Sequence, residues 1–373
     1  MKSHFKQGLQ YLFNSKVAGQ SRLPWVDYAK GLAIILVAYR HVLIGFERSG
    51  LKPSILLINA NEVFYSFRMP LFFILSGVFV TNSLRKRGVG RLIKNKVQTL
   101  LYPYVIWAII QISLQIIFSN YTNAKRSLID YTYIISQPDA LDQLWYLFAL
   151  FNVAVLYILL GKFFRFKILH QLILGLLFHS LSLIIDFGPW RDLLYYYLFY
   201  VLGVFLSSYL LDKNRYKIYA SWKVFIIITP LFIISQWYFV NNESLQYSHI
   251  YLFALIALIG CCFMLNICFK LQQLNKLKFL KIVGYYSLYV YVMHVMIVSF
   301  LRSFFVQVVG IKSIPLLLFL NLSLGISLSI IIFNYAIRLG FWFIFTLDKN
   351  RILPLLPSDQ NKIAKPNESL SLQ

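Results

Sequence analysis

Charge is scarce in this chain of 373 residues, where Asp, Glu, Lys and Arg make up only 13%. A soluble domain carries about 25%. Carboxylates are the scarcest, with 13 Asp and Glu against 36 Lys and Arg and a net charge of +23. Alongside 59% hydrophobic residues and a mean hydropathy of +0.67, this shortage excludes both a water-soluble globule and a disordered chain. Cysteine is nearly absent. Cys261, Cys262 and Cys268 share one apolar stretch, so a disulfide framework is excluded, their spacing fits no zinc pattern, and they read as packing or lipid-facing residues. There is no internal repeat and no matched pair of Gly/Pro-broken helices of the kind that marks many transporters. Aromatics are abundant, at 33 Phe, 26 Tyr and 7 Trp, as helices facing lipid and its interfaces require.

The apolar residues fall into ten segments, each near the roughly 20 residues that cross a bilayer. They cover about 28–46, 63–84, 98–118, 143–160, 168–186, 192–211, 222–240, 250–269, 283–304 and 314–337. The expected fold is all-α and polytopic, with about ten transmembrane helices. With the N-terminus inside, the inner segments hold 26 of the 36 Lys and Arg and the outer loops 7, while Lys30, Arg40 and Arg68 lie within helices. With a bacterial inner membrane as the expected location, this bias predicts that both termini are cytoplasmic. It also removes nucleic acid as a partner, because no single basic face exists. Residues 1–24 lack the apolar core and cleavage site of a signal peptide and are expected as a cytoplasmic segment. The patch Gly340–Leu347 is too short to span and is expected at the cytoplasmic interface. The polar tail from about Pro357 to residue 373 is expected to be disordered.

Ionisable side chains inside spanning helices are costly and mark candidate sites. The first segment carries four. Asp27 sits where a carboxylate caps a helix start and complements its dipole. Lys30 and His41 are eleven residues apart, three turns with about 20° of drift, so they share a face about 16 Å apart along the axis. Lys30 reads either as a snorkelling interface lysine or as part of a site, and His41 as an interhelical hydrogen bond or as a base that takes a hydroxyl proton near neutral pH. Arg40 points about 100° away from His41. In the second segment Pro70 frees a carbonyl, Ser76-Gly77 permits close approach of a neighbour, and Arg68 needs an anionic or carbonyl partner. The basic stretch Arg85 to Lys96, read as a loop, binds either anionic lipid headgroups or the phosphates of a cytoplasmic donor. Trp145 opens the fourth segment as a belt residue or a substrate platform. His294 lies in the ninth at a depth similar to His41. No metal-binding cluster stands out.

Four motifs occur in order. Asp-x-x-Lys-Gly is followed by His eleven residues after the basic residue (Asp27, Lys30, Gly31, His41). Met-Pro-Leu-Phe-Phe-x-Leu-Ser-Gly runs from Met69 to Gly77, and the basic stretch leads to Leu-Leu-x-Pro-Tyr, Leu100 to Tyr104. Gly-x-x-Ser-Leu-Tyr-x-Tyr-x-x-His closes the set, Gly284 to His294. Together they resemble the acyltransferase family 3 integral membrane proteins, particularly their fucose 4-O-acetylase-like branch, over residues 25–340.

The resemblance implies transfer of an acetyl group from cytoplasmic acetyl-CoA to a sugar hydroxyl of a cell-surface polysaccharide or its lipid-linked precursor. His41 would be catalytic, with Lys30 and Asp27 in the same motif; most members carry Arg where this chain has Lys30. The family's Arg-x-x-Arg falls on Lys96 to Thr99 and only its first position is basic, so Arg91 and Lys94, with Lys96 and Tyr102, form the expected CoA-binding set. Arg40, Arg68, Ser76, Trp145 and His294 form the expected acceptor-binding set. Membrane lipids, a glycan acceptor and other envelope-glycan proteins are candidate partners. Succinyl or another short acyl group is an alternative to acetyl, and covalent acyl-His an alternative to direct transfer. A glycan or small-solute transporter and a catalytically silent glycan sensor are the rival functions.

Overall fold

The computed structural model describes residues 23–119, 126–185, 187–242 and 244–349. The expected N-terminal segment before residue 23 and the polar tail beyond residue 349 lie outside these. Among the described residues there is no β-strand, and thirteen α-helices have eight or more residues. In chain order they are α1 (Pro24–Arg48), α2 (Ile55–Val63), α3 (Tyr65–Val78), α4 (Val80–Lys96) and α5 (Tyr102–Ile117), then α6 (Trp145–Phe163), α7 (Ile168–Leu181), α8 (Gly188–Phe205) and α9 (Trp222–Val240), and finally α10 (Ile250–Leu274), α11 (Lys278–Tyr285), α12 (Ser287–Ser303) and α13 (Ile314–Arg338). The chain is an all-α polytopic membrane protein.

Every expected apolar segment lies on a helix, with two differences of detail. Seven helical stretches are long and apolar enough to cross a membrane by themselves. The exceptions are α3 and α7, at 14 residues each, and α8, at 18. Fourteen residues rise only about 21 Å, short of the roughly 30 Å hydrocarbon core. The second difference is the basic stretch Arg85 to Lys96, which is helical. Gly88 at φ 71° breaks it into two arms within α4, a backbone setting that glycine adopts without steric cost. A π-helical turn, Val97–Leu101, then carries the chain into α5.

Helix starts follow local chemistry. Pro24 occupies the first turn of α1, where its missing N–H costs nothing. The residue before it, Leu23, makes no side-chain cap, so Asp27 is not the cap expected from the sequence; it sits inside the first turn, facing the positive end of the helix dipole. The start of α1 is tied down by Trp25 N–H donating to Gln272 Oε1 at 2.8 Å and by the Tyr28 hydroxyl donating to the Lys276 carbonyl. At the periphery, α9 turns Ile226, Ile227, Ile233, Ile234 and Trp237 outward, each more than half exposed, as a lipid-facing helix does.

By contrast, α1 is the centre of the bundle, packed against α10, α11, α12 and α13. Two reciprocal glycine crossings set the closest contacts. A Cβ on Gly31 of α1 would collide with the Leu280 carbonyl of α11, and one on Gly284 of α11 with the Asp27 carbonyl of α1. Gly77 of α3 meets the Tyr200 carbonyl of α8, while Gly203 of α8 meets the Ile74 carbonyl of α3. Membrane helices associate through such small residues because lipid supplies no hydrophobic drive. The sequence reading of Ser76-Gly77 as a close-approach point matches this contact.

These crossings generate a prediction. Gly284→Ala and Gly203→Ala should each destabilise the detergent-solubilised protein by about 1–3 kcal/mol, the cost of overpacking. Gly90→Ala, which meets nothing, should leave the melting temperature unchanged. Equal stability of all three would contradict the crossings.

Candidate active site

The larger cavity, about 590 Å³, lies at the end of the bundle away from the α1 N-terminus. The second half of α1 supplies Arg40, His41 and Arg48, and the start of α3 supplies Tyr65 and Arg68. A tight turn, Pro138–Leu144, adds Asp139, Asp142 and Gln143; Trp145 opens α6, and Arg191, Asp192, Tyr195 and Tyr196 come from the start of α8. Guanidinium, carboxylate, amide and aromatic groups thus converge on one space.

Each polar group is held in place. Arg68, only 3% exposed, donates to Asn61 Oδ1 at 3.2 Å and to the Leu36 carbonyl at 3.4 Å. Asn61 in turn donates to Glu62 Oε1 at 2.9 Å. The partner that Arg68 requires is therefore an amide and a carbonyl, with a carboxylate one step behind. Arg40 and Arg68 both stand over the Tyr65 ring, their guanidinium carbons 5.2 and 5.9 Å from its centroid, a favourable cation–π distance. Trp145 packs against Tyr196 with centroids 5.5 Å apart, and Tyr196 stacks on Phe73. At the rim Arg48 bridges to Asp142 at 2.8 Å. Asp142 is held at φ 53°, in the left-handed region that non-glycine residues seldom occupy.

His41 is half-buried at the wall of this cavity. Its ring meets His294 of α12 edge to face, with centroids 5.3 Å apart. Two residues separated by 253 positions, each ending a sequence motif, are thereby in contact. His294 is fully buried, and its Nδ1 lies 2.9 Å from both the Val290 and the Tyr291 carbonyl oxygens. Arg40, Arg48 and Arg68 all stand within electrostatic reach of His41.

The smaller cavity, about 440 Å³, opens at the other end, between α4, the π-helical turn and α12. It is lined by Arg87, Asn95, Gln98, Thr99, Leu288, Tyr289, Phe345 and Thr346. Lys96, half-buried, lies within electrostatic reach of Lys30 and Arg87, and Lys30 within reach of Asp27. This cationic mouth lies at the foot of the helix that carries His41 to the larger cavity.

Comparison with known proteins fits that arrangement, since residues 23–346 match the acyltransferase domain of one family. The chain belongs to acyltransferase family 3. The match takes in both cavities and the histidine pair. The chain is also similar to nodulation protein NolL of Sinorhizobium fredii (strain NBRC 101917 / NGR234), 26% identical over 150 residues. That alignment covers 40% of this chain and 38% of NolL. No solved structure matches.

The site expected from the sequence is partly gathered and partly dispersed. Arg40, His41, Arg68 and Trp145 line the larger cavity together. His294 lies behind His41 rather than at the wall. Ser76 lines neither cavity. Arg91 and Lys94 are exposed on α4 and also line neither, and Tyr102 donates to the Phe343 carbonyl at 2.6 Å, anchoring the turn after α13. The inner wall is made instead by Arg87, Asn95, Gln98 and Thr99. The sequence reading passed over Arg191-Asp192, although a charged pair at the edge of an apolar segment is the signal it used elsewhere.

The turn bearing Asp142 yields a test. Asp142→Gly and Asp142→Ala both lose the bridge to Arg48, but only glycine accepts φ 53° freely. The alanine variant should be the less stable by about 1–2 kcal/mol, the scale of strain in a sparsely populated backbone region. Thermal unfolding in detergent measures it, and an alanine variant at least as stable as the glycine variant would contradict the described turn.

Proposed function

We propose that the protein is a membrane O-acetyltransferase that moves an acetyl group from cytoplasmic acetyl-CoA to a sugar hydroxyl of a cell-surface polysaccharide or its lipid-linked precursor. The observation that carries this reading is His41, a family-motif histidine at the wall of a polar, aromatic cavity, in a chain whose acyltransferase domain also encloses a second, cationic cavity. The excess of Lys and Arg on the connections at the second cavity's end supports a cytoplasmic location for it and an inner-membrane location for the protein.

The residues of the smaller cavity fit a nucleotide thioester. Arg87, with Lys96 and Lys30 close by, offers positive charge to phosphates, and the side chains of Asn95, Gln98 and Thr99 offer hydrogen bonds to an amide-rich arm. Acetyl-CoA supplies the activated acyl group. At the larger cavity Trp145, Tyr196 and Tyr65 offer flat apolar faces to a sugar ring, while Asp139, Asp192, Gln143 and Arg191 offer polar groups to its hydroxyls.

In the proposed reaction His41 removes the acceptor hydroxyl proton while the oxygen attacks the thioester carbonyl. The new C–O bond forms, the C–S bond breaks, and the proton held on His41 passes to the leaving thiolate. General base assistance of this kind contributes about 10²–10⁴-fold. Arg40 and Arg68, which form no ion pair among the described residues, stand close enough to His41 to stabilise negative charge on the carbonyl oxygen as it develops.

Proton NMR of surface polysaccharide from wild-type, gene-deleted and His41→Ala cells tests this reading. A base-labile O-acetyl signal is expected in the wild type and in neither mutant, with the substituted protein still present in the membrane. Retention of the signal in His41→Ala cells would remove His41 as the base. An unchanged acyl signal accompanied by lost polymer export would favour a transporter.

A further inference from the structure

His294 is the one strongly buried titratable group beside the proposed base that the reaction above leaves unused. Both groups near its Nδ1 are backbone carbonyls, at 2.9 Å. A carbonyl oxygen only accepts, so Nδ1 carries the ring proton and donates to them. In the neutral imidazole Nε2 is then a bare acceptor. That Nε2 is buried and has no hydrogen-bond partner among the described residues, a costly state for a polar atom inside a helix bundle. The ring packed against His294 is that of His41, at a centroid separation of 5.3 Å. An N–H···N bond of about 3 Å between two imidazoles sets their centroids a little over 5 Å apart, so the rings stand at bonding separation and a turn of the His41 ring about its side-chain torsions is what aligns them.

Resting on the acyl-transfer reading, we propose that His294 is a positioning residue for His41: its Nε2 accepts the N–H of one His41 nitrogen, which fixes the His41 tautomer and leaves the other His41 nitrogen as the lone pair offered to the acceptor hydroxyl. The arrangement has the logic of an orienting group behind a catalytic imidazole, with a neutral histidine in place of the usual carboxylate. A neutral orienter suits this location. A carboxylate beside Arg40, Arg48 and Arg68 would be drawn into ion pairs with them, whereas an imidazole clamped by two carbonyls presents only a directed lone pair. When His41 takes the acceptor proton, the same lone pair stabilises the imidazolium. Val290 and Tyr291 contribute through their carbonyls alone, so the clamp belongs to the turn of α12 preceding His294 rather than to any side chain.

The test compares His294→Leu with His294→Gln in full-length protein in lipid nanodiscs, with acetyl-CoA and, as acceptor, surface polysaccharide from the source cells stripped of acyl groups with base. Leucine fills the space with no acceptor atom. Glutamine returns a carbonyl oxygen near the place of Nε2. The leucine variant should lose about 100-fold in kcat with both KM values within twofold of wild type, and glutamine should recover at least tenfold of that loss. A leucine variant with wild-type kcat, or a folded glutamine variant as slow as leucine, overturns the proposal.

A second readout does not depend on turnover or on the variants folding. In the wild-type protein labelled with ¹⁵N-histidine, the imidazole nitrogens of His41 should show one protonated and one bare nitrogen in a fixed tautomer. Averaged shifts from two exchanging tautomers would overturn the proposal. If wild-type protein itself transfers no acetyl group while His41 holds a fixed tautomer, the acyl-transfer reading fails and the positioning contact stands.

Discussion

A helix that carries Lys30, Arg40 and His41 is stable in a membrane only when other helices separate those side chains from lipid. This constraint shapes the rest of the molecule. Helices α2, α3 and α10 to α13 enclose α1, and the reciprocal contacts of Gly31 and Gly284 bring α11 close enough to close the wall on one side. Helix α9, whose Ile and Trp side chains face outward, carries no Asp, Glu, Lys, Arg or His after Lys223 in its first turn. Charge and lipid are kept apart by giving the centre of the bundle to the helix that carries Lys30, Arg40 and His41.

Enclosing α1 has a second consequence. A central helix with polar groups at both ends leaves space around each end, and the two cavities form there. Their walls differ in chemistry. The smaller combines one guanidinium, Arg87, with amide, hydroxyl and apolar groups, whereas the larger combines several guanidinium, carboxylate and tyrosine side chains. At the wall of the larger stands the half-buried His41, its ring against that of the fully buried His294, 253 positions away in sequence. The geometry gives each end of the proposed reaction its own compartment, and the only two histidines of the described residues whose rings meet stand at the larger one.

Much of this was legible from sequence because the membrane imposes a simple code. Apolar length gave the helices, and the cost of burying charge picked out Arg40, His41, Arg68 and His294, of which the first three line the larger cavity. What escaped the reading escaped for physical reasons. A count of Lys and Arg finds basic stretches but does not say which members point inward, so Arg91 and Lys94 were singled out although Arg87, on the far side of the Gly88 kink, lines the smaller cavity. The aspartates of the turn before α6 were passed over because a short polar connection between apolar segments gives no periodic signal. Ser76 was read as a substrate contact, but it lines neither cavity. Pairing of His41 with His294 needed the third dimension.

The central claim is that acyl groups enter at the end of α1 bearing Lys30 and leave at the end bearing His41. Sealed membrane vesicles of both orientations, supplied with radiolabelled acetyl-CoA on the outside only, test it directly. Inverted vesicles, which present the Lys96 end to the medium, should label glycan held in their lumen, and right-side-out vesicles should label none until they are permeabilised. Equal labelling from acetyl-CoA on either side would contradict the account.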